Sequence, residues 1–176
     1  MSTIIDSYSE TNLTGSAGES TSARLTRGQS FTGNSSTLVS CKFYLYIASG
    51  TTGTLYAHLY SHTGTYGVDG TPDTLLATSN AIDMTTIGTV GGLVEFTFSG
   101  SEQYDMGSTY YFITMSGTIT GTLYFGTDNS SPTHSGNYWT SYGANASFDG
   151  IFYVYGEPIT TPTVGTKYPL PAFKVA

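Results

Sequence analysis

The sequence predicts an all-β protein: two antiparallel sheets packed as a jelly-roll-like β-sandwich, with an extended segment at each end. Three observations carry this. Apolar residues recur at every second position in several stretches and nowhere at helical spacing. Glycine-rich turns separate those stretches. Charged residues make up only 10% of the chain, with 15 Tyr and 22 Gly, against about a quarter charged in an average soluble domain. Such a surface is neutral and rich in hydroxyl groups, which suits contact with sugars or packing into assemblies.

Residues 1–27 are expected to form an N-terminal arm or irregular edge segment. Ile4 and Ile5 begin it, and Tyr8 and Leu13 are its only large apolar anchors. Its arginines, Arg24 and Arg27, are expected more as solvated loop charges than as carboxylate clamps. Residues 28–156 make the sandwich domain. A short strand over 29–32 ends at a Gly33-Asn34 turn. The central element is a predicted hairpin over 38–62. Val39, Cys41, Phe43, Leu45 and Ile47 form an inward row, the 49–53 stretch turns, and Leu55, Ala57 and Leu59 resume the row. Tyr44, Tyr46, Tyr56, His58, Tyr60 and His62 take the opposite face.

A glycine-rich loop follows over 61–72, then a strand over 75–84 with a bulge. The 93–99 stretch sends Val94, Phe96 and Phe98 inward. In 110–116 both rows are apolar, Tyr111, Ile113 and Met115 on one face and Tyr110 and Phe112 on the other. That strand is expected to be covered on both faces. Strands over 122–126 and 151–155 close the fold, joined by a loop holding Asp128, Asn129, His134 and Trp139.

Residues 157–176 differ in character, with four of the six prolines and both Lys167 and Lys174. Proline has no amide hydrogen to give a sheet ladder, so this is expected as an extended C-terminal arm. Tyr168, Leu170 and Phe173 are anchors that a plain linker does not need. Together with Lys167, Lys174, Ile4 and Ile5 they are the expected partner-binding residues. Folding back along the chain's own sandwich is the alternative.

A net charge of −7 and a pI near 4.5 argue against nucleic acid, which needs clustered Lys and Arg. No apolar run approaches the ~20 residues of a membrane helix. The first residues lack the basic start and long apolar segment of a secretory leader. Made in a host cytoplasm and released as part of a virion surface is the localisation this suggests, with an extracellular location otherwise. Cys41 is alone on the apolar row and is expected as a small buried hydrophobe.

The motifs at residues 28–33, 41–45, 128–136 and 152–156 together resemble β-sandwich domains of choice-of-anchor bacterial surface proteins and of predicted tailed-phage structural proteins. The resemblance spans most of residues 4–156. It implies a non-catalytic surface or virion module and says nothing of a ligand.

No catalytic constellation stands out. His58 and His62 share a strand face but lie roughly 13 Å apart along it, too far for one metal ion. No serine elbow, phosphate loop or zinc-helix motif occurs. No enzyme, no catalytic residue and no metal site is expected. A structural calcium held by Asp69, Asp73, Asp128 and Asp149 is the minor cofactor expectation, with solvated turn aspartates favoured.

Tyr44, Tyr46, Tyr56 and Tyr60 on the sheet, with Tyr138, Trp139 and Tyr142 at a loop end, are the glycan or interface aromatics. The expected function is therefore a phage capsid decoration or cement protein. It would be a homo-oligomer binding itself or the major capsid protein through its arms. The alternative is a carbohydrate-binding module, free-standing or on a tail fibre or adhesin, meeting a surface glycan.

Overall fold

A computed structural model describes residues 1–22 and 25–159. They form a β-sandwich of two antiparallel sheets, with strands numbered here in chain order. In the first sheet, β4 (Ser36–Ile47) is central. β8 (Gly92–Thr97) runs along one side of it. On the other side lies β14 (Phe152–Pro158), which carries β1 (Thr3–Tyr8) at the edge. Further along that same side, β10 (Leu123–Asp128) takes over beside Leu45 to Ile47. It also pairs with β2 (Gly15–Glu19) and β13 (Asp149–Gly150).

The second sheet runs in the order β12 (Gly143–Asn145), β11 (Tyr138–Thr140), β3 (Arg27–Thr32), β9 (Tyr110–Thr120), β5 (Thr52–Thr63), β6 (Thr71–Thr78). A short β7 (Ile82–Asp83) also pairs with β5. Successive strands repeatedly cross between the sheets, as in a jelly roll.

The core is the space between the two inward rows. Cys41, Phe43 and Leu45 of β4 face Leu55, Ala57 and Leu59 of β5, all buried. Phe96, Phe125, Phe152 and Val154 complete the first sheet's side, and Tyr111, Ile113 and Met115 the second's. Phe43 is the hub, 5.3 Å from the Phe125 ring and 5.8 Å from the Phe96 ring. Phe112 faces the other way and is also fully buried, stacked on His62 at 5.2 Å. The strand is thus covered on both faces at Phe112 and Ile113, while Tyr110 at its start is 46% exposed.

Four expectations are corrected. β4 and β5 are not a hairpin, for they lie in opposite sheets and the chain arches between them through Gly50, at φ +81°. Alternation reports which face is buried, and both connections bury the same rows. Val39 is not in the inward row. A bulge opposite Tyr155 and Gly156 shifts the pleat, so Leu38 takes the core position, fully buried. The strand expected over 75–84 runs Thr71–Thr78 instead, with two breaks of register against β5 around the pairing of Tyr60 with Leu75, and Leu75 is half exposed. The solvated loop charge favoured for Arg27 is a clamp: it meets Glu19 at 3.2 Å, both side chains nearly buried. Residues of the N-terminal segment form β1 and β2, whereas Arg24 lies outside the described residues.

Candidate functional site

The outer face of the first sheet is paved with tyrosine. Alternation sends Tyr44 and Tyr46 of β4 outward, with Tyr124 of β10 and Tyr153 and Tyr155 of β14. Over Tyr44 and Tyr46 lies an open cleft of about 410 Å³. The two rings form its floor, residues 13–16 one wall and Gly91 the opposite rim.

The floor is preset by glycines beneath and beside the rings. A Cβ on Gly126 would stand 2.7 Å from the Tyr44 ring and 2.9 Å from Leu13. One on Gly91 would meet the outer end of the same ring at 2.4 Å. Tyr46 stacks on Tyr124 with ring centres 4.5 Å apart and planes 8° from parallel. Tyr124 in turn lies over Gly18, where a Cβ would come within 2.9 Å. Only glycine lets these rings lie against the sheet.

The wall is tied down from several sides. A single helical turn, Glu10–Asn12, is capped by Ser9 and turns the chain across the face. The Tyr153 hydroxyl donates to the Glu10 carboxylate, and this bond holds that carboxyl below its usual range. The Thr14 amide donates to the Thr127 carbonyl at 3.1 Å, and its hydroxyl to Asp128 at 2.9 Å. Ser16 Oγ is 2.7 Å from the Tyr46 hydroxyl, joining wall to floor.

The cleft therefore offers two aromatic faces rimmed by hydroxyl groups. Among the described residues, no charged side chain lines it. Its chemistry is stacking and hydrogen bonding. Among the described residues, no carboxylate, imidazole or thiol lines it.

Other expected residues are dispersed. Tyr56 and Tyr60 stand on the opposite outer face, on β5, with the His58 ring between them at 6.3 and 6.1 Å. They share no surface with Tyr44 and Tyr46. Burial pushes the His58 imidazole below its ordinary value, and its nitrogens meet Thr78 at 3.1 Å and Ser116 at 2.8 Å. Tyr138 is a correction: it faces inward, 2% exposed, packed against Phe125, with its hydroxyl accepting from Arg27. Trp139 is half-buried beside it, and Tyr142 is exposed at the turn between β11 and β12. Ile4 is half exposed on β1 and Ile5 packs against the core. Lys167, Tyr168, Leu170, Phe173 and Lys174 lie outside the described residues.

The four candidate calcium aspartates are separately engaged. Asp128 accepts from the Tyr8 hydroxyl at 2.8 Å, from Thr14, and from the amides of Ser130 and Ser131. The Ser130 amide foremost holds its carboxyl well below the usual range. Asp69 accepts from the Thr65 amide, and Asp73 from the hydroxyls of Ser61 and Thr74. Among the described residues, no three metal-ligating side chains converge.

Asp149 belongs to a network that the sequence did not single out. Its carboxylate accepts from Gln29 Nε2 at 3.0 Å and from the His134 amide at 2.8 Å, while burial raises its pKa. His134 Nδ1 accepts from the Gly136 amide at 3.0 Å, which leaves the proton on Nε2, 3.3 Å from Asp6. Gln29 returns its carbonyl to the Gly150 amide at 2.9 Å. The network clasps β1, β3, β13 and the 129–137 loop together. Through Asp6 it fixes β1, the strand that precedes the cleft wall in the chain.

No family model matches the chain, nor does any curated protein or solved structure. The class is defined by geometry alone: a two-sheet β-sandwich with an open tyrosine-floored cleft on one outer face.

Proposed function

We propose that this protein is a non-catalytic binding module that takes carbohydrate in the cleft over Tyr44 and Tyr46. The observation that carries the reading is the cleft itself: two preset aromatic faces ringed by hydroxyl groups. Sugar rings have flat apolar faces and a rim of hydroxyls, so they stack on such a floor and hydrogen-bond to such a wall. A volume of about 410 Å³ lies within the ~300–1,000 Å³ usual for small-ligand sites. The test is affinity electrophoresis of the full chain through gels containing soluble polysaccharides. Retardation by at least one polysaccharide, lost in Tyr44→Ala and Tyr46→Ala with an unchanged circular dichroism spectrum, supports the reading. Equal mobility of wild type and variants in every gel contradicts it.

The assembly reading, a phage capsid decoration protein on the virion surface, has an observation of its own. β1 pairs only with β14 among the described residues, and Ile4 stands 51% exposed on it. An open edge with an apolar side chain is a surface on which another chain adds a strand. Cross-links from Lys167 or Lys174 to a different chain in a native particle would favour it. The two readings are compatible, since a virion-surface module has glycans to meet.

A further inference from the structure

Resting on the carbohydrate reading, we infer that the cleft is built for a neutral glycan and turns away uronates, sulfated sugars and sialylated chains. The hydrogen-bonding side chains at the cleft are the hydroxyls of Thr14, Ser16, Tyr44 and Tyr46. The Thr14 hydroxyl is spent on Asp128 and the Asn129 amide. A hydroxyl both donates and accepts, so the Tyr44 hydroxyl and the bonded Ser16–Tyr46 pair are the groups that match a sugar hydroxyl. A hydroxyl offers no charge to a carboxylate or sulfate, which is bound tightly by the fork of an arginine or by an ammonium.

The cations nearby are already taken. The described residues hold two cationic side chains of Lys or Arg, and each is paired. Arg27 meets Glu19 at 3.2 Å, with its side chain 11% exposed. Lys42 stands 4.0 Å from Glu95 and 5.1 Å over the Tyr155 ring. Neither lines the cleft.

The charges that border the wall are acidic. Glu10 stands at its head and Asp128 lies directly behind Thr14, whereas Glu19, at the end of the strand that Gly15 begins, is spent on Arg27. The carboxyls of Glu10 and Asp128 are both held below their usual range by hydrogen bonds, so they remain charged through mildly acidic pH. An anionic ligand would approach a negative border on a chain of net charge −7, without a counter-charge among the described residues at its destination. A neutral one meets no such field.

The test is calorimetric titration of the full chain with two panels at equal monomer concentration. One panel is neutral (soluble β-glucan, galactomannan, amylose) and the other anionic (alginate, polygalacturonate, heparin). Each is run at 20 mM and 500 mM sodium chloride. Tyr46→Ala reports the site, and Gly91→Leu, which fills the rim against the outer end of the Tyr44 ring, serves if the first variant fails to fold.

The expected result is a neutral polysaccharide bound at least tenfold tighter than any anionic one. Its affinity should change less than twofold with salt, and both variants should lose it. An anionic polysaccharide preferred, and lost in the same variants, would overturn the inference while leaving the carbohydrate reading intact. Binding of neither panel would remove the carbohydrate reading itself, and the inference with it.

Discussion

Ser16 Oγ stands 2.7 Å from the Tyr46 hydroxyl, so an N-terminal strand is hydrogen-bonded to the outward face of the central strand of its sheet. Residues 13–16 are set by the β2–β10 ladder and by the bonds of Thr14 to Thr127 and Asp128; the Ser16–Tyr46 bond then joins that wall to the aromatic floor.

Separating the bond from the ring is the first prediction. Tyr46→Phe keeps the stack on Tyr124 and loses one hydrogen bond, worth about 0.5–1.5 kcal/mol, so glycan affinity should fall no more than roughly tenfold. Tyr46→Ala also removes the ring from the floor and should abolish measurable binding. Its stability cost should include the Tyr46–Tyr124 pair, about 0.5–1.5 kcal/mol. Calorimetric titration and thermal melts of the two variants check both halves.

Two glycines touch the same ring with different consequences. Gly126 is buried beneath Tyr44 and Leu13, so Gly126→Ala overpacks the site and should destabilise by about 1–3 kcal/mol. Gly91 meets only the far end of Tyr44, which can swing. Gly91→Ala should therefore leave stability within about 0.5 kcal/mol of wild type while weakening binding. Denaturant melts beside titrations would show whether the two effects separate.

Acid stability should trace to the clasp beside the cleft. Burial raises the Asp6 carboxyl, but hydrogen bonds from His134 and the Thr32 amide outweigh it, and the net position is below the ordinary 3.8. A carboxyl lowered by folding stabilises the native state above its unfolded value and loses that contribution as pH falls through its folded value. The stability advantage of wild type over Asp6→Asn should thus be constant from pH 7 down to about 4 and shrink below it. Urea melts from pH 2 to 7 measure this; parallel curves across the whole range would contradict it.

Cys41 is fully buried, and desolvation pushes its thiol well up. In the native protein it should react with a disulfide reagent more slowly than in urea by roughly a thousandfold or more, since only opened molecules expose it. Following thiolate release at 412 nm on the order of hours would show it.

What the sequence makes legible is the face each residue takes, and less often its neighbour. The alternation of Leu55, Ala57 and Leu59 with Tyr56, His58 and Tyr60 identifies core and surface on β5, because a pleat permits only two faces. The same alternation on β4 and β5 is silent on pairing, so an arch between sheets reads like a hairpin. It also places Tyr44 and Tyr56 on one surface when they stand on opposite sides of the molecule. Val39 misleads because a bulge resets the pleat with no glycine or proline on its own strand to mark it; the glycine at the bulge, Gly156, is more than a hundred residues away.

The cleft was half legible. Tyr44 and Tyr46 are visible as outward aromatics, and Tyr124, Tyr153 and Tyr155 obey the same rule in Leu123-Tyr124-Phe125 and Phe152-Tyr153-Val154-Tyr155. The wall is not legible. Residues 13–16 have little apolar character, and their strand is held by pairing with β10 and by Asp128, contacts more than a hundred residues away in sequence. Nor is the clasp, since Asp6, Gln29, His134 and Asp149 share no motif and meet only in the fold.

The most direct test of the central claim is to map amide chemical shifts of the isotope-labelled full chain during titration with a soluble neutral oligosaccharide. The account predicts the largest changes at Ser16, Tyr44, Tyr46 and Gly91, with the β5 face around Tyr56 and Tyr60 unmoved. Changes centred on Tyr56 and Tyr60, or along β1 at Ile4, with the Tyr44–Tyr46 cleft silent, would contradict it.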